Sequence, residues 1–289
     1  MTDDPVLARA RALLLAHRPA DALSELAALP ASTAIGAEAA VLRGVALIQL
    51  ERWPEAAQAA RAGLEAGGPD PDLLRMLGRA EQEMGNLPVA ERAFLDGLAM
   101  APGDPDLLCA YARLCLADGQ VDKAAQLVDR AAAQDPHAAV VYASRVQVAF
   151  ARGDDREAQR ISREYMAAYP EDPAAHALFG GASAARGQTG PAYEGMRQAA
   201  ASAPGEQAYA ESALELSIAR HPLMAPVRPI ARFGPLKTWV AAIVVIYGLR
   251  ALGLTALSLV AALLWLLLCV YSWVVPPLVR RWVLRNWHR

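Results

Sequence analysis

Few residues in this 289-residue chain have the type and spacing for chemistry. The five histidines, His17, His137, His176, His221 and His288, are scattered and form neither an HExxH motif nor a ligand pair. Cys109 and Cys115 lie six apart and Cys269 sits in an apolar run, so neither zinc spacing nor a disulfide framework is present. Reduced, structural thiols are the expectation, as in a cytosolic protein. The glycine-rich GGASAARGQTG at 180–190 lacks the Lys-Ser/Thr ending of a phosphate loop, and it reads as helix and glycine turn. No GxSxG occurs, and the acids are spread over helix exteriors. The chain is therefore expected not to be an enzyme, with no catalytic residue, metal, cofactor or small-molecule substrate. What remains is the chemistry of charge. Arginines could hold carboxylates, and the tail VRRWVLRNWHR could hold a lipid surface.

The elements that must position these groups are legible in a 34-residue period. Ala22, Ala56, Ala90, Ala124, Ala158 and Ala192 are each 34 apart, as are Gly85, Gly119, Gly153 and Gly187, and Pro102, Pro136, Pro170 and Pro204. Three columns in one register exclude coincidence. Glycine closes a helix because it adopts the left-handed conformation without a Cβ penalty, and proline stops the next one. The repeated alanine falls in the second helix, where a small side chain lets two helices approach. Between the stops the apolar spacing is helical, as at Ala90, Phe94 and Gly97. Each unit is helix, glycine turn, helix, proline turn.

That unit resembles the tetratricopeptide repeat (TPR). Unit 71–104 contains LLRMLGRAEQEMGNLPVAERAFLDGLAMAP, with Leu74 at the family's Trp position, Leu77-Gly78 at its Leu-Gly, and Ala90, Phe94 and Pro102 at its Ala, Phe and Pro. Glu81 replaces the usual Tyr. Unit 105–138 keeps Leu108, Tyr111, Ala112, Gly119, Ala124, Ala131 and Pro136. The flanking units are 3–36, 37–70, 139–172 and 173–206, with Arg9, Arg43 and Arg145 where Leu is expected. The resemblance implies an all-α, right-handed α-solenoid of about six helix pairs, stacked because one pair cannot bury its apolar face alone. Segment 207–219, QAYAESALELSIA, looks like the helix that caps the last repeat, giving a solenoid over 1–220.

In this family the first helix of each repeat lines a concave groove. The resemblance places Arg75 and Arg79 at the fifth and ninth positions of unit 71–104, and Arg113 at the ninth of unit 105–138. Three arginines on neighbouring helices could hold an acidic peptide or a C-terminal carboxylate of a protein partner. The alternative is a solvated face balanced by acids such as Asp72 and Glu83. Chaperone-binding members carry Asn at such groove positions; Val45, Arg79, Arg113 and Gln147 stand at the ninth here, so a chaperone-tail clamp is not expected.

Charge divides the chain. No acid follows Glu215 and eight of the 28 lysines and arginines follow His221, so the first 220 residues carry 20 basic against 30 acidic residues. An acidic solenoid argues against nucleic acid. MTDDPVLARA has no apolar core, so no secretory signal is expected at the start. Pro222, Pro226, Pro229 and Pro235 mark 221–235 as a linker, and from Trp239 to Val275 the only formal charge is Arg250.

A bilayer core takes about 20 helical residues, so region 236–275 is read as a transmembrane hairpin of 239–249 and 255–275, broken near Gly248 and Gly253. Arg250 at mid-bilayer would cost about 3 kcal/mol, which places it at an interface. Arg228, Arg232 and Lys237 precede the apolar region, and Arg280, Arg281, Arg285 and Arg289 follow it. Two basic flanks imply an even number of crossings with both ends cytoplasmic; a single span by 255–275 is the competing topology. After Pro276-Pro277, residues 276–289 read as an amphipathic helix on the anionic leaflet, with Val279, Val283 and Trp287 toward lipid.

The function expected from these features is a membrane-anchored scaffold or adaptor, with its repeats on the cytoplasmic side of a bacterial inner membrane. The alternative is a non-catalytic subunit of a membrane enzyme or transport complex.

Overall fold

The computed structural model describes residues 4–29, 36–227 and 234–287, and among them fifteen α-helices, one 3-10 helix and no strand. The helices follow in pairs: α1 (Pro5–Leu15) and α2 (Pro19–Ala27), α3 (Ala37–Gln49) and α4 (Trp53–Gly67), α5 (Pro71–Glu83) and α6 (Leu87–Met100). Next come α7 (Pro105–Ala117) and α8 (Val121–Gln134), α9 (Ala139–Ala151) and α10 (Asp155–Ala168), α11 (Pro173–Ala185) and α12 (Thr189–Ser202). Then follow α13 (Gln207–Arg220), the 3-10 turn (Pro222–Val227), α14 (Pro235–Ala251) and α15 (Thr255–Trp287). By contacts the chain forms two compact units that divide between Leu178 and Phe179, inside α11. The Pro-rich segment after 220 is not the division, because α13 and the 3-10 turn pack on α15.

In the first unit each helix from α1 to α10 packs on its sequence neighbour, and the first helices of successive repeats also touch, α3 on α5, α5 on α7 and α7 on α9. The core is a row of clusters. One is built on Ala40, Leu47, Ala57 and Met76, and the next on Phe94, Leu107, Leu108, Tyr111 and Val128. The alanine column is its tightest part: Ala22, Ala56, Ala90, Ala124, Ala158 and Ala192 are all fully buried.

The glycine column turns each helix into the next with φ of 80° at Gly85, 75° at Gly119, 72° at Gly153 and 71° at Gly187. The same register extends further back. Glu51 and His17, one and two periods before Gly85, hold φ of 56° and 54°, where an L-residue is strained. Glu51→Gly is therefore expected to stabilise the chain by about 1 kcal/mol. An unchanged denaturation midpoint would contradict that strain.

Overpacking tests the alanine column. Ala124→Leu is expected to cost about 1–3 kcal/mol, whereas Ala133→Leu, exposed on the same helix α8, should be close to neutral. Ala138 is not a suitable control: it is half-buried at the start of α9 and packs on the Phe94 cluster. Matching melting curves for the 124 and 133 variants would refute the register.

The tail differs from the sequence expectation at two places. Segment 221–235 contains regular structure: residues 222–227 form the 3-10 turn and Pro235 opens α14, while 228–233 lie outside the described residues. Pro suits that first position because its missing N–H would be unpaired anyway. Secondly, α15 runs through Pro276 and Pro277 to Trp287 without a break. The two prolines remove the donors for the Ser272 and Trp273 carbonyls, yet the helix is packed on both sides of them. The Tyr271 hydroxyl donates to the Leu223 carbonyl at 2.7 Å, and Val279 and Val283 beyond the prolines are buried.

Candidate functional site: an arginine cleft

Two helices of the cleft begin identically. Asp70-Pro71-Asp72-Leu73-Leu74 opens α5 and Asp104-Pro105-Asp106-Leu107-Leu108 opens α7. In each, the first Asp caps the helix by accepting from the Leu backbone N–H three residues on, at 2.9 Å for Leu73 and 3.0 Å for Leu107. Proline occupies the first turn of both. The shared start sets both helices in one phase, so Arg79 and Arg113 occupy equivalent positions. Cys109 stands where Arg75 stands one repeat earlier.

The structure brings all three predicted arginines into one cleft of about 210 Å³, walled by Asp106, Cys109 and Ala110 of α7 and by Val140, Ala143, Ser144 and Gln147 of α9. Their situations differ. Arg75 is held by its own helix, with Nη2 donating to Asp72 Oδ1 at 2.9 Å. Arg79 and Arg113 make no ion pair among the described residues, and the Nε of each is buried without an acceptor. The Arg79 guanidinium lies over the Trp53 ring, with Cζ 6.0 Å from the centroid.

Electrostatics sharpen the distinction. Burial pushes Arg79 below the ordinary arginine value, Glu83 works against this, and Arg75 adds to it. Arg113 is pushed down by burial first, then by Arg79, with Glu83 opposing. Glu83 is exposed and bonds to neither. Arg75 is thus balanced by an acid of its own helix, and Arg79 and Arg113 have no such pair among the described residues. Arg79 and Arg113 are two desolvated, mutually repelling cations, each with a buried Nε–H that has no acceptor among the described residues.

Sequence reasoning had not placed Asp106, Cys109 or Ser144 here. Cys109 could have been found by stepping one period from Arg75. Burial raises its thiol pKa, so it lines the cleft as an unreactive group.

The tetratricopeptide-repeat family model matches residues 7–71 and 75–139. No curated protein matches the sequence. Among solved structures, a thermophilic TPR protein of Thermus thermophilus is similar at a TM-score of 0.57 and 18% identity, over 62% of this chain and 99% of that one. The APC/C hetero-tetramer Cut9–Hcn1 is similar at 0.56 and 14% identity, over 73% of this chain and 42% of that one. At such identities the likeness is one of fold. It is the fold that the buried alanine column and the left-handed glycine turns had already described. The helices that carry Arg75, Arg79 and Arg113 are thus those of a TPR solenoid, in which residues 7–71 and 75–139 are tetratricopeptide repeats.

Proposed function

We propose that the chain is a membrane-anchored scaffold that recruits or assembles proteins at the cytoplasmic face of a bacterial inner membrane, taking an acidic segment of the partner at Arg75, Arg79 and Arg113. TPR solenoids are protein-interaction scaffolds, which makes a protein the expected ligand class. The observation that carries the reading is the pair of buried, unpaired Nε–H groups of Arg79 and Arg113 in one cleft. A buried donor without an acceptor costs about 1–3 kcal/mol. A carboxylate supplies both the acceptor and the countercharge.

Anchoring is supported by α15, whose stretch Thr255–Val283 is the one helix among the described residues long and apolar enough to cross a membrane. Its Leu263, Leu264, Leu266 and Leu267 are each more than half exposed, a surface that water does not favour and lipid does. The full chain is expected to stay with membranes through alkaline carbonate extraction. Leu264→Lys with Leu267→Lys should release it, each charge costing about 3 kcal/mol in the bilayer. A wild-type chain found in the alkaline supernatant would defeat the anchor. Co-purification in mild detergent separates the adaptor from the subunit reading, since one stoichiometric membrane partner would favour the subunit.

A further inference from the structure

The end of α15 has a partner within this chain. Equal steps from the turn at Gly253 place Pro235, the first residue of α14, opposite Tyr271 of α15. The 17 residues of α14 span about 25 Å, of which the stretch from Lys237 to Arg250 covers about 20 Å, a short crossing that local thinning of the ~30 Å core accommodates, and beyond Tyr271 they no longer cover α15. At that level a second set of contacts begins. The Tyr271 hydroxyl donates to the Leu223 carbonyl at 2.7 Å, and the Trp282 ring meets His221 edge-on at 5.3 Å. α15 packs on the 3-10 turn and on α13, and Val279 and Val283 are only 3% and 8% exposed. Arg280, Arg281 and Arg285 face outward.

We infer that α14 and α15 enter and leave the membrane on the side occupied by α13, with the turn at 252–254 on the far face, and that the end of α15 is a strut clasped to the 3-10 turn and α13. This rests on the membrane-anchored reading. Residues 221–223 precede the first apolar helix and therefore share the aqueous side of α13. A hydrogen bond and a ring contact from Tyr271 and Trp282 to those residues cannot bridge a bilayer. A single crossing by α15 would carry Trp282 to the opposite side and break both contacts.

The clasp also changes the role of the tail. The Val279–Val283 stripe, which the sequence assigned to lipid, is used against protein. By the same equal steps Lys237 is level with Cys269, so the arginines of the opposite face stand about 16–24 Å beyond it, on the aqueous side shared with α13. Arg250 is exposed beside the far turn, where its charge reaches the other interface.

The test uses the full chain with Cys109→Ala, Cys115→Ala and Cys269→Ala, carrying one reporter at a time: Glu211→Cys on α13, Leu252→Cys at the turn, or Arg285→Cys on the strut. Intact cells are treated with a membrane-impermeant maleimide before or after lysis. The reporters at 211 and 285 are expected to be protected until lysis, and the reporter at 252 to label several-fold more in intact cells. Opposite behaviour at 211 and 285 would overturn the inference, as would identical behaviour at all three. A flexible bismaleimide should also join Arg220→Cys to Arg281→Cys within one chain, and failure to do so would overturn the strut. Recovery of the chain in the soluble fraction would sink the anchor itself, and sedimentation tells that failure apart from a wrong topology.

Discussion

Changing Arg75, Arg79 and Arg113 together to Glu is expected to abolish binding of an acidic peptide while leaving the melting temperature little changed. Hydrogen bonds to charged groups contribute about 1.5–3 kcal/mol each. Losing those of Arg79 and Arg113 alone therefore weakens binding by about 100-fold or more, and charge reversal adds repulsion. Stability should change little, because Arg79 and Arg113 lack ion pairs and each lies in a field made unfavourable by burial and by a neighbouring arginine, while the surface pair of Arg75 with Asp72 contributes at most about 1 kcal/mol. The measurement is fluorescence anisotropy with a labelled Asp/Glu-rich peptide, at low and at moderate salt. The control changes Arg9, Arg18 and Arg92 to Glu, all well exposed and away from the cleft, for the same change in net charge. If both triple variants weaken binding equally, attraction is a matter of net charge and the cleft is not the site. If only the cleft variant loses binding, position decides it.

The repeat, its turns and the three groove arginines were legible because a 34-residue period places each residue by register, independently of any contact. Where the pattern lapsed, so did legibility. His17 and Glu51 occupy the left-handed turn position without being glycine, so the column looked two periods shorter than it is. Glu81 reads as a surface residue, yet it is 1% exposed. Its carboxylate is held by the half-exposed Arg61 of α4 and by Asn86, whose Nδ2 donates at 2.8 Å, so a buried carboxylate paired with a surface arginine fills the place where the family has Tyr. Nothing local to Glu81 announces a partner 20 residues earlier.

The cleft and the tail show the same divide. The spacing of Arg79 and Arg113 puts them on one face, but their loss of water depends on the walls contributed by α9 and on Trp53. In the tail, Pro276-Pro277 stops a helix by every local rule. The continuation depends on contacts such as Tyr271 to Leu223, 48 residues apart, which no local pattern encodes.

Phe94→Ala is expected to cost about 3–5 kcal/mol, the largest single-residue loss in the repeats. Phe94 is fully buried on α6 and fills the space left by Gly78 of α5, where an added Cβ would lie 2.6 Å from the Phe94 ring. Its ring also lies 6.3 Å from that of Tyr111 on α7, so one side chain joins three helices across two repeats. Truncation removes the transfer energy of the ring and leaves a cavity that backbone-limited neighbours cannot close. Gly78→Ala should be destabilising on its own, because the ring it meets is packed on every side. The combination with Phe94→Leu should cost less than the sum of the two, since the smaller side chain makes room for the new methyl. Because repeat arrays need not unfold in one step, the readout is hydrogen exchange resolved by helix as well as the denaturation midpoint. Protection should fall first in α5, α6 and α7, and Val89→Ala, on an exposed position of α6, should leave it intact. A loss below about 1 kcal/mol, within the range of ordinary surface substitutions, would mean that Phe94 is not the residue that couples these two repeats.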